Sequence, residues 1–293
     1  MSLLLALVAC TEPGADDSAG ATIPLRTCEE LADLGGPSPD ARDVEPQQAQ
    51  FGAAELETLC DDPSFANLLG TVSLLNTDWR DLGALSCVQS ISGSLVLSES
   101  VFLESLDGAE NLREIGGLKV HGAPWLSSME ALAPALRAST PDIELSALHS
   151  LPDLSALRCL QEAKRFTLGA LDGVPDLTPL VQLTTASHGF SVFAMPIVDL
   201  SGLESLETTE SFQIARNPAL TRLDGIAALR DVESYAIVTE NAALTDISAL
   251  GGLDRIGGDL EITDNISLND ADAVTIAGQI DVGGEVEVSG NGP

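Results

Sequence analysis

A pair of apolar residues enclosing one polar position recurs along most of the chain. The pairs are Leu95/Leu97, Leu118/Val120, Ile143/Leu145, Phe166/Leu168, Phe190/Val192, Phe212/Ile214, Ala236/Val238, Leu260/Ile262 and Val286/Val288, at steps of 22 to 26 residues. Alternation with period two marks a strand with one buried face. The enclosed residues are Val96, Lys119, Glu144, Thr167, Ser191, Gln213, Ile237, Glu261 and Glu287. Most are polar, as an exposed sheet face requires. Val72 and Leu74 are candidates for one further strand on the N-terminal side.

Further apolar rows follow each strand. One runs Leu103, Leu126, Leu151, Val174, Ile197, Leu220, Leu244, Leu268; the next, three residues on, begins Leu106, Met129, Leu154, Leu177. A spacing of three suits a 3₁₀ turn or a single helical turn and is too brief for a long helix. Each coil therefore holds a strand, a corner and a compact return. No coil buries its apolar edge alone, so stability comes from stacking. The expected fold is a β-rich repeat solenoid over residues 70–293, with one long parallel sheet of about nine strands and short helical return turns.

One corner position changes character along the stack. Asn217, Asn241, Asn265 and Asn291 each lie three residues after the second inward strand residue. An amide there can satisfy backbone groups of its own and the neighbouring coil, which predicts a structural Asn ladder. Earlier coils place Ser100, Ala123, Leu148, Leu171 and Met195 at that site. The first half thus has an apolar corner and the second half a hydrogen-bonded one.

These residues carry a family resemblance. Phe212-Gln-Ile-Ala-Arg-Asn217-Pro-Ala-Leu220 resembles the leucine-rich repeat pattern. The run from Leu106 to Leu118, echoed by Leu253 to Asn265, is similar to the receptor L domain of insulin and growth-factor receptors. The resemblance implies a right-handed L-domain-like coil and weighs little on ligand, because such solenoids share shape rather than partner. The chain departs from receptor L domains in lacking an evident Cys-stapled end.

The N-terminal stretch reads differently. Ser2–Ala9 is an apolar run directly followed by Cys10, too short to span a bilayer, which needs about 20 apolar residues. It fits a signal-peptide core. Leu7-Val8-Ala9-Cys10 resembles the lipobox of bacterial lipoproteins, which implies lipidation at Cys10. Residues 11–27, rich in Gly, Pro, Ser and Asp, read as a flexible tether. Thr11 is not the Asp that retains enteric lipoproteins in the inner membrane. The resemblance therefore implies the outer membrane, with a periplasmic or surface-exposed domain. Residues 28–69 lack the repeat and read as a small N-terminal cap, helical around Cys28–Leu31 and Ala53–Leu59.

Cysteine usage agrees with export. With Cys10 set aside, Cys28, Cys60, Cys87 and Cys159 remain, in an oxidising space where pairing is expected. The preferred pair is Cys28–Cys60, with Cys60–Cys87 as the alternative. Cys87 and Cys159 sit three coils apart, about 14 Å at ~4.8 Å per coil, beyond the ~7 Å reach of a disulfide. Cys159 reads as a buried core residue.

Charge narrows the function. The chain has 13 Lys and Arg against 45 Asp and Glu, a net charge of −32. That excludes nucleic acid, which needs clustered cations, and docking on an anionic lipid surface other than by a lipid anchor. The acidity reads first as a solvated surface, with Ca²⁺ as the secondary use. No zinc spacing, phosphate loop or Ser-His-Asp arrangement is present, and no cofactor is implied. The expectation is a binding or adhesion module for a protein or glycan, with Lys119, Glu144, Thr167, Ser191, Gln213 and Glu261 as partner-binding candidates. A β-helix polysaccharide lyase or hydrolase is the enzymatic rival. It needs convergent carboxylates and cations, in which this row is poor. A structural envelope lipoprotein is the remaining alternative.

Overall fold

The computed structural model describes residues 25–292. Cys10 and most of the tether lie outside them. The described chain winds into a solenoid whose strands form one parallel sheet of sixteen. Ten strands, from Val72–Leu75 to Val286–Ser289, stack in register as the main ladder. Every apolar pair expected from the sequence lies here, and Val72/Leu74 supplies the tenth. The inward row is almost wholly buried from Val72 to Ile262. At its centre the rings of Phe166, Phe190 and Phe212 stack, with centroids 5.5 and 6.0 Å apart.

Most coils also have a second, shorter strand segment ahead of the main one; the coil of Asp142–Ser146 has the helix Ala133–Ala138 there instead. Ala163↔Ala186, Thr208↔Asp231 and Arg255↔Asp281 are among the pairs of this second ladder. Its strands are often two residues long, as at Asp231–Val232, too short to show an alternation in sequence. This ladder begins inside the segment expected as a cap: Arg42–Val44 pairs with Ala66–Leu68, which pairs with the start of Val88–Ser98. Arg42–Val44 and Ala66–Leu68 are therefore already part of the sheet. The helical segments Ala53–Leu56 and Leu59–Asp61 between them obscure the period.

The return segments are 3₁₀ turns such as Ser155–Leu157, Thr178–Leu180 and Ser248–Gly252. Asp81, Asp153, Asp176, Asp199 and Asp246 each accept a hydrogen bond from the backbone N–H two residues on. These are Asx turns, which start the return at a fixed point. Gly257-Gly258 turns between Arg255–Ile256 and Leu260–Thr263. Gly251-Gly252 instead ends a return turn, and Gly116-Gly117 lies inside one strand.

The corner after the main strand has a second recurring feature. Asn76, Glu99, Ala147, Ala170, Ala194, Arg216, Glu240 and Asp264 all adopt positive φ, between 50° and 57°. Each immediately precedes the corner residue. The Asn ladder then closes the second half. Asn217 Oδ1 accepts from the Met195 N–H at 2.9 Å. Asn241 Oδ1 accepts from the N–H and Nδ2 of Asn217, and Asn265 and Asn291 repeat the pattern. No buried side-chain polar atom lacks a partner among the described residues.

The disulfides differ from the preferred pairing, and one of them is the alternative, Cys60–Cys87. Cys28 bonds Cys159, and Cys60 bonds Cys87. Cys28–Cys60 does not form, because helix α1 (Cys28–Ala32) does not cover the N-terminal end. Thr27 and Glu30 form a capping box that starts this helix. Helix α1 folds back along the solenoid and packs where Ala133 and Cys159 meet Leu31. Arg158 fastens the approach by donating to the Arg26 carbonyl at 2.9 Å and pairing with Glu130. Cys159 is buried as expected, yet bonded.

Candidate ligand-binding face

The outward face of the main ladder is three residues wide. Its middle row runs Lys119, Glu144, Thr167, Ser191, Gln213, Ile237, Glu261, each in register with the next. The six candidate residues thus share one row, but they do not form one site. Lys119 and Glu144 pair with each other, Nζ to Oε2 3.3 Å. Glu261 accepts from the Thr263 hydroxyl at 2.8 Å. Thr167, Ser191 and Gln213 lie between these ends and line a shared depression of about 540 Å³.

Small outward residues make the depression. Gly189, Ser191, Ser211 and Ala215 give the floor, while Arg165, His188, Phe193, Arg216 and Tyr235 rise around it. Gly189 has φ +121°, and a Cβ there would lie 2.4 Å from the Ser211 hydroxyl oxygen, so only glycine fits. The ring of Phe193 lies over Gly169 in the adjacent strand, where a Cβ would come within 2.0 Å of it. This aromatic-over-glycine pairing fixes one wall. Register slips between Ala163↔Ala186 and Arg165↔Gly189, so the strand bearing His188 holds an extra residue. Such a bulge re-aims a side chain, here to the rim. Beneath the floor sits the Phe166–Phe190–Phe212 stack, a rigid support.

The electrostatics of this patch oppose those of the whole chain. No Asp or Glu lines it. Three smaller depressions among the described residues contain carboxylates: Glu45, Glu55 and Asp62 in one, Glu130 and Asp153 in another, Glu114 in the third. Two cations contribute. Arg216 holds Glu240 with Nε 3.0 Å and Nη2 2.9 Å from Oε1. These hydrogen bonds keep the Glu240 carboxyl below its ordinary range and raise Arg216. Arg165 is exposed and has no ion pair among the described residues. The patch can hydrogen-bond, stack against a ring and accept one negative charge. Without a carboxylate it holds no acid–base pair of the glycosidase kind.

Sequence reading followed only the middle row and so missed Arg165, His188, Phe193, Arg216 and Tyr235. Three of them, Arg165, Phe193 and Tyr235, were legible. Residues two before and two after each middle residue obey the same alternation. Arg165/Gly189/Ser211/Tyr235 and Gly169/Phe193/Ala215/Thr239 form an outward stretch without acid, bounded by Asp142 and Glu144 on one side and Asp259 and Glu261 on the other.

Compared with protein families, curated proteins and solved structures, the chain has no match. Among the described residues no group of three or more His, Cys, Asp or Glu is placed to hold a metal ion. Among them, too, no helix is long and apolar enough to cross a membrane.

Proposed function

We propose that the chain is an exported, lipid-anchored, L-domain-like binding module that engages a glycan or protein partner through the outward face of its main ladder, without catalysis. One observation carries this reading: a depression free of carboxylates on the broad face of a chain with net charge −32. Acidic residues are scattered through the rest of the chain, and solubility alone gives no reason to spare this patch. Its floor is fixed by glycine and phenylalanine packing, so little ordering is lost on binding.

Export is supported by the two disulfides, which belong to oxidising compartments. They account for four of the five Cys and leave Cys10 for the lipid. Palmitate labelling of wild type but not of Cys10→Ala is the expected result for the anchor.

The face is tested by filling it. Ser191→Trp occupies the depression, and Val198→Trp places the same ring at an exposed position off the face. On glycan and peptide arrays, Ser191→Trp is expected to lose wild-type signals that Val198→Trp retains. Equal signals from both variants would remove the face from consideration.

A further inference from the structure

We infer that the depression takes a short carboxylated saccharide, with Arg165 reading the carboxylate. This rests on the proposed binding role of the face and names the ligand class for it.

Size comes first. A volume of about 540 Å³ falls within the ~300–1,000 Å³ of small-molecule sites. A protein partner instead covers about 800 Å² on each side, and acidic residues bound this patch along the stack. Shape follows. Arg165 and Tyr235 lie in one row three strand spacings apart, about 14 Å. The ligand is therefore elongated and lies across the strands.

The lining chemistry selects a sugar. Tyr235, 39 % exposed, and the wall-forming Phe193 present ring surface. Gln213, Ser191 and Ser211 present donors and acceptors on the floor between them. Apolar ring faces with interleaved hydroxyls match that pattern, each hydroxyl needing a polar partner once covered.

Charge selects the acid. Glu240 neutralises Arg216, so Arg165, whose guanidinium has no ion pair among the described residues although Asp142 accepts from its backbone N–H, supplies the cation. A planar guanidinium grips a carboxylate through two parallel hydrogen bonds. Phosphate-rich ligands need several cations. Asp142 and Glu144 beyond one end, and Asp259 and Glu261 beyond the other, repel a continuing polyanion. The site therefore reads a short oligomer or a chain end rather than the middle of a long acidic polymer.

The test is calorimetric titration of the full chain carrying Cys10→Ser. The probes are a short oligogalacturonate and its methyl ester, which has the same rings without the charges. The acid is expected to bind and the ester to bind at least tenfold more weakly. Arg165→Gln should weaken the acid at least tenfold and leave the ester unchanged. Tyr235→Ala should weaken both, and Arg255→Gln, an exposed cation off the main ladder, neither. Equal binding of acid and ester, still lost in Tyr235→Ala, would overturn the carboxylate assignment and leave the face standing. Binding indifferent to both Arg165→Gln and Tyr235→Ala would overturn the inference and the face together. Absence of binding by either probe would overturn the ligand class, with the array comparison of Ser191→Trp and Val198→Trp judging the face separately.

Discussion

Asn241 shows how much one side chain holds in this fold. Its Oδ1 accepts two hydrogen bonds from Asn217, and its Nδ2 donates to the carbonyls of Ile214 and Thr239. Asn241→Ala strands several buried groups at about 1–3 kcal/mol each. The expected loss in urea unfolding is about 3 kcal/mol, and smaller for the less buried Asn291→Ala. Asn241→Asp should cost more than alanine, because it aims a carboxylate at those same carbonyls. The Asn positions were legible because amides at a fixed interval have few other uses. The left-handed residues beside them were not, since Ala, Glu and Arg carry no signal for positive φ. That conformation costs a non-glycine residue roughly 1–2 kcal/mol, against about 0.5–1 kcal/mol of extra chain entropy for glycine. Ala170→Gly is therefore expected to stabilise the protein by about 0.5 kcal/mol, read as a higher urea midpoint.

At the scale of elements, the disulfides and return turns make distinct predictions. The Cys28–Cys159 bond closes 131 residues and Cys60–Cys87 closes 27. On loop entropy these amount to about 5 and about 3.5 kcal/mol. Replacing Cys28 and Cys159 by Ser should lower the melting temperature more than replacing Cys60 and Cys87. It should also open α1 to protease. The Cys28–Cys159 pairing escaped sequence reading because nothing local reports that a five-residue helix crosses to a distant coil. The return turns respond to acid. Burial acts to raise the Asp199 carboxyl, but hydrogen bonds from Ser201 and Arg222 outweigh it and hold the carboxyl below its ordinary 3.8. Asp246 is lowered chiefly by the Ser248 backbone and hydroxyl. The stability from such depressed carboxyls is complete above their unfolded value and is lost as pH falls through the folded one. Asp246→Asn, which still accepts the turn hydrogen bond, should lose less stability than wild type when pH drops below about 4, as followed by urea midpoints.

The whole molecule carries −32 on an elongated stack. Self-repulsion opposes compactness and is screened over about 10 Å at 0.1 M salt. Raising NaCl from about 20 mM to about 0.5 M should therefore raise the melting temperature, since the Debye length shortens severalfold. If oligogalacturonate binds, salt should weaken it over the same range, giving opposite signs for stability and affinity. Architecture was legible at this scale because stacking forces the same residue types to recur. The depression was not, since it arises from small residues on four neighbouring strands, each unremarkable alone. The fold-back of α1 also decides how the molecule bears load. Tension on the chain ahead of Cys28 enters through a covalent link to Cys159, between the fourth and fifth of ten main strands, and not at the first coil. The pull then spreads as shear across a stack held from its middle, and neither end is offered as a place to start unzipping.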